Sequence, residues 1–198
     1  MRKLLEKPLF HYTLVLAMVS LVCGFAIGGV NAITQPIIEN NVIEATNAAY
    51  ISVLPGYASS NELSIIGDPA SIQNKLEGKD ASGQTIGYIY KAYGTNRFGS
   101  MLIVVGIDNS GIITGAEFIT INQTYQVNGT RTNLSLYIGS SITDLIPNGD
   151  IITGATFSLV LAQSLLADIA TAYGNTQINL NHSLDIDSSI LQSEVAVR

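Results

Sequence analysis

Asp150-Ile151-Ile152-Thr153-Gly154-Ala155-Thr156 gathers one carboxylate, two hydroxyls and two small residues just ahead of an apolar run. That run, Phe157 to Tyr173, has the spacing of the strongest helix in the second half of the chain. The first backbone N–H groups of a helix have no partner within it, and the aligned peptide dipoles favour negative charge there. Gly154 and Ala155 let a phosphate approach the backbone closely, so the segment reads as an anion site at a helix start. The plainer reading is that Thr153 or Thr156 is simply an N-cap, a role Ser and Thr often fill. Local physics leaves both open.

Other chemistries have little to work with. The single Cys23 excludes a disulfide framework and Cys-rich metal or iron–sulfur sites. His11 and His182 are too far apart for zinc-ligand spacing, and no Ser/His/Asp or Cys/His arrangement offers a nucleophile with its base. No metal site is expected. Fifteen acidic against nine basic residues argue against nucleic-acid binding.

The elements that must position the segment follow from the charge pattern. Only 12% of the 198 residues are charged, while 47% are hydrophobic. Arg2, Lys3 and Lys7 precede a stretch, Pro8 to Ile38, that has no charged residue. Its centre, residues 9–33, is long enough to span a bilayer as a helix. The positive-inside rule puts residues 1–8 in the cytoplasm and 34–198 outside, making a single-pass cell-membrane protein. A signal peptide cleaved after Val30-Asn31-Ala32 is the competing reading, although secretory apolar cores are usually shorter. Cys23 fits the bilayer as a small hydrophobe, and His11 and Tyr12 suit the headgroup region.

Residues 34–198 carry six basic and fourteen acidic residues, a net of −8, and are numerous enough for a core of their own. Their pattern predicts an α+β domain with a small antiparallel sheet and packed helices. A helix is expected to start at Thr34-Gln35-Pro36 and end at Pro55-Gly56, followed by a polar, turn-rich stretch containing a short strand at Ile65-Ile66. Residues 86–92, 101–107 and 112–121 read as strands, the last two joined by the turn Asp108-Asn109-Ser110-Gly111. A further short strand is expected over 134–138, and an irregular tail over 175–198.

The string D-x-x-[ST]-G-A-T, complete from Asp150 to Thr156, resembles the flavinylation motif of the FMN-binding domain family, with Ser158 where that family often has Ser or Thr. The anchor followed by Asn31-Ala32-Ile33-Thr34-Gln35-Pro36-Ile37-Ile38 is similar to the start of the G subunit of Rnf ion-translocating electron-transport complexes. So are Val53-Leu54-Pro55-Gly56, Ala92-Tyr93-Gly94, and Val105-Gly106-Ile107-Asp108 with Gly111, Ile113 and Gly115. The likeness covers most of the chain, least at residues 57–84 and the tail. One segment departs from it. Where the family has E-T-P-G-L-G near the flavin, this chain has Gln123-Thr124-Tyr125-Gln126-Val127-Asn128, keeping only Thr124 and losing a carboxylate and two glycines.

The resemblance implies an extracytoplasmic FMN-binding domain with FMN joined to Thr156 by a phosphoester, made by a separate flavin transferase. Asp150, Thr153, Gly154, Ala155 and Thr124 would complete the cofactor-binding set. It implies electron relay among the membrane subunits of an Rnf-type complex rather than a complete enzyme. The alternative is a stand-alone FMN-binding protein for extracellular electron transfer or a membrane reductase, and a third reading is an anchored, non-redox binding domain. The related C subunit of sodium-translocating NADH:quinone reductase shares the motif but is usually longer. A bacterial source, also implied, would leave the sequons at Asn122, Asn128, Asn133 and Asn181 without glycans.

Overall fold

The computed structural model describes residues 8–123, 127–152, 154 and 156–195, the side chains of 8–11, 39 and 181–195 excepted. The chain divides into two compact units, Met1–Ala45 and Thr46–Arg198. Helix α1 (Pro8–Val53) runs through the first unit and ends in the second. It is long and apolar enough to cross a bilayer, and none of its most apolar stretch is buried. Leu16, Phe25 and Ile27 are all largely exposed.

The separate helix start expected at Thr34 does not occur, because α1 passes through Pro36 unbroken. Pro36 has no N–H to donate along the helix, yet apolar sequence on both sides keeps the helical path the best one. The Thr34 hydroxyl turns back onto the helix and donates to the Val30 carbonyl at 2.9 Å. Proline in a first turn and proline tolerated mid-helix leave the same mark in a sequence.

The second unit is built on an antiparallel meander: β1 (Ser59–Glu62), β2 (Ile72–Lys79), β3 (Thr85–Asn96), β4 (Gly99–Asp108) and β5 (Ile113–Gln123), each strand beside the one before it. Two of its turns use one device. Asp80 Oδ1 accepts the N–H groups of Ser82 and Gln84, and Asp108 Oδ1 accepts those of Ser110 and Ile112. Gly83 and Gly111 supply the left-handed residue in these turns.

Both faces of the sheet are covered. Helix α3 (Thr156–Val195) lays Ala162, Leu165, Leu166, Ile169, Ala172 and Tyr173 on one face, against Tyr88, Tyr90, Ile103, Val105 and Ile107. This packing accounts for an apolar content that would otherwise suit a membrane span. The last turn of α1 covers the other face, with Tyr50, Val53 and Leu54 against Leu76, Ile89 and Val104. A short helix, α2 (Val127–Ser135), packs beside β5 and α3.

Three further expectations are corrected. Ile65-Ile66 forms no strand, and Ile66 is almost fully exposed; β1 and β2 lie instead within the polar stretch. Their polar residues hid them: β2 even contains Lys75, buried because its ammonium pairs with buried Asp68 at 2.7 Å. The strand expected over 134–138 is the end of α2 followed by turns, since Tyr137 and Ile138 donate back to Leu134 and Ser135. The tail is not irregular through its first part, because α3 continues to Val195. No proline interrupts it, and Gly174 is accommodated within the helix.

Candidate functional site

The approach to α3 is fixed by side chains that hold backbone. After α2 the chain turns through Gly139, and Asn148 ties the next loop down by donating from Nδ2 to the Ile138 carbonyl at 2.8 Å. The Asn148 N–H also donates to the Leu136 carbonyl at 2.7 Å. Asn133 of α2, fully buried, then grips Ile152 from both sides. Its Oδ1 accepts the Ile152 N–H at 2.8 Å, and its Nδ2 donates to the Ile152 carbonyl at 3.1 Å. Two bonds from one carboxamide fix both the position and the rotation of that peptide segment.

From there Gly154 takes φ +96°, a conformation that L side chains rarely adopt, and α3 opens at Thr156. Asp150, Gly154 and Thr156 are all exposed. Thr156 is the first helical residue, not the residue before the helix, and among the described residues its hydroxyl has no hydrogen-bond partner. That removes Thr156 as the N-cap and leaves an exposed hydroxyl beside the first-turn N–H groups, which have no partner within the helix. Thr153, Ala155 and Thr124 lie outside the described residues.

Three elements meet the first turn of α3. The end of β5 brings Gln123, whose Oε1 accepts from the buried Ser158 hydroxyl at 2.9 Å. Gln123 Nε2 is buried and has no partner among the described residues. An unpaired buried N–H donor is costly, and it marks a place where an acceptor would be stabilised. The β3–β4 hairpin comes next, with Gly99 opposite Gln123 in the sheet register. Gly99 has φ +137°, and a side chain there would meet the Asn122 carbonyl at once. At the hairpin tip Asn96 Nδ2 donates to the Phe157 carbonyl at 3.2 Å, and Arg97 lies over the rings of Phe98 and Phe157. Phe157 itself is 58% exposed.

The structure therefore puts Gly154 and Thr156 at one exposed helix start, leaves Asp150 exposed on the approach to it, and adds Asn133, Gln123, Ser158 and Arg97 around it. Of these additions, Asn133 and Arg97 carried no functional signal in the sequence. Asn133 stood out only as part of a sequon, and Arg97 did not stand out at all. Among the described residues no group of three or more His, Cys, Asp or Glu converges as metal ligands do. What the arrangement can do is bind an anion at the helix start and offer an unshielded hydroxyl to it. No protein-family model matches the chain, and no curated protein matches it.

Proposed function

We propose that the chain is a membrane-anchored flavoprotein that carries FMN on Thr156 and relays electrons within an Rnf-type ion-translocating complex. The observation that carries the reading is the exposed Thr156 opening α3 inside a complete D-x-x-T-G-A-T string. The residues present fit the group. Thr156 supplies the oxygen for a phosphoester, and Gly154 keeps side-chain bulk away from the phosphate. The first-turn N–H groups of α3 face its negative charge, and the unpaired Gln123 Nε2 is a donor in want of an acceptor. When bound, the flavin supplies the ring that takes up and gives back electrons, while the protein tethers and orients it. Attachment needs a separate flavin transferase, for which Asp150 is a recognition residue rather than a bond-forming one.

Residues 9–33 within α1 serve as the membrane anchor in this reading, with Arg2, Lys3 and Lys7 cytoplasmic and the sheet domain outside. A covalent link suits that side of the membrane, where a flavin that dissociated would be lost. One tethered redox centre cannot complete a reaction alone, so membrane subunits that deliver and remove electrons are required partners. A second reading, a stand-alone flavoprotein for extracellular electron transfer or a membrane reductase, is favoured by the departure at Gln123–Asn128. Gentle detergent extraction separates the two: recovery with other redox subunits supports the complex, and a fully active monomer supports the second reading.

The attachment itself is tested in denaturing gels. Wild-type protein co-expressed with a flavin transferase is expected to fluoresce as flavin under ultraviolet light, and Thr156→Ala to be dark. Thr156→Ser retains a hydroxyl and is expected to keep part of the signal. The Thr156→Ala protein should remain folded, because an exposed hydroxyl with no hydrogen bond contributes little to stability. Persistent fluorescence in Thr156→Ala, or none in wild type, would overturn the reading.

A further inference from the structure

Arg97 stands at the tip of the β3–β4 hairpin and is held there from two sides. Asn96 Oδ1 accepts the Phe98 N–H at 2.9 Å, closing the turn, while Asn96 Nδ2 ties the turn to the Phe157 carbonyl of α3. The Arg97 guanidinium carbon lies 5.1 Å from the centre of the Phe98 ring and 5.9 Å from that of Phe157. The two rings are themselves 5.2 Å apart. The hairpin tip and the first turn of the helix are thus joined through one cation and two rings.

Residues 34–198 have only six basic side chains among fourteen acidic ones. Lys75 and Lys79 are paired with Asp68 and Glu77, whereas among the described residues no carboxylate pairs with Arg97, Lys91 or Arg131, and of these three Arg97 alone touches the first turn of α3. Among the described residues the Arg97 guanidinium has ring contacts and no hydrogen bond, which leaves its N–H donors for another acceptor. The ring of Phe157, next in sequence to Thr156, remains exposed beside it. A flat cation with a free edge and an exposed aromatic surface are the two features that hold a planar, negatively charged ring.

We infer that Arg97 is a positioning residue that stabilises the negative charge on the flavin ring once it is reduced, and so raises its midpoint potential. This rests on the flavin reading above. At neutral pH the oxidised ring takes two electrons from a reductant and one proton from solvent at N5, leaving one negative charge on the N1–C2=O side. A guanidinium near that edge favours the reduced form over the neutral oxidised form. Because Arg97 is solvent-exposed, its effect is sensitive to salt.

The test uses the full-length protein in detergent, flavinylated by co-expression with a flavin transferase, as wild type, Arg97→Gln and Arg97→Lys. Gel fluorescence first establishes that each carries flavin, and dithionite titration against reference dyes then gives the midpoint. Arg97→Gln is expected to lower the reduction equilibrium constant about tenfold at low salt, which is about 30 mV for a two-electron couple. Arg97→Lys, which keeps the charge, is expected to recover part of that shift, and high salt to shrink it. An unchanged midpoint in Arg97→Gln would sink the inference. So would an equal, salt-independent fall in both variants, which would mean packing rather than charge. Wild type without flavin would instead remove the flavin reading itself, and the gel reveals that before any titration.

Discussion

Two hydrogen bonds from the buried Asn133 carboxamide hold Ile152, and through it the chain entering α3. Asn133→Ala deletes both bonds and leaves a void at a fully buried position. The variant is expected to lose about 2 kcal/mol in urea unfolding and to accept flavin poorly even though Thr156 is intact. An Asn133→Ala protein as stable as wild type would show that the clamp is not what holds this loop. The residues of the motif were legible in the sequence because their spacing is local. Asn133, nineteen residues from Ile152, and Arg97, sixty residues from Phe157, were not, because only the tertiary fold brings such partners together. Gln123 was visible as a departure from a familiar pattern, but its missing hydrogen-bond partner is a property of the folded molecule alone.

At the scale of elements, the end of α1 rests on glycine. A Cβ at Gly106 would lie 2.2 Å from the Val53 carbonyl oxygen, and one at Gly115 only 2.5 Å from the Val53 Cα. The Thr114 hydroxyl donates to that same carbonyl, an otherwise unpaired group at the helix end. Backbone meets backbone here, so neither side can rotate away. Gly115→Ala is therefore expected to cost about 2–3 kcal/mol, read as a lower midpoint in thermal or urea unfolding. The central hairpin was readable because β-branched residues and an Asp-Asn-Ser-Gly turn point the same way. The first two strands, β1 and β2, were not, since their polar residues either face solvent or, like Lys75, are buried against a partner drawn from another segment. The helix α2 has no apolar stripe to announce it, and only burial of Gly129, Thr130, Asn133 and Leu134 fixes its place.

For the whole molecule, tyrosines set the alkaline limit of the sheet domain. Burial raises the ionisation of Tyr88, Tyr90 and Tyr173 above the ordinary tyrosine value. The Thr176 hydroxyl gives its proton to the Ala172 carbonyl, so Tyr90 is the donor in the 3.0 Å bond between them. Unfolded tyrosines lose their protons near pH 10 while the folded ones still hold theirs. Their contribution is thus fully present below about pH 10 and is lost as pH rises towards the folded values. Urea midpoints are expected to be level from about pH 7 to 9 and then to fall, with Tyr90 alone contributing up to about 1.4 kcal/mol per pH unit. Tyr90→Phe should flatten that decline; a decline of the same steepness would assign it elsewhere. The strand order has a different consequence, for the sequence of events during synthesis. Each strand pairs with its immediate predecessor, so the meander can close as the chain emerges. Until α3 follows, the face bearing Tyr90, Ile103 and Val105 stays bare. Thr156 is the first residue of that last element. A modifying enzyme that recognises the hydroxyl in its helical setting would therefore mark finished molecules and pass over unfinished ones.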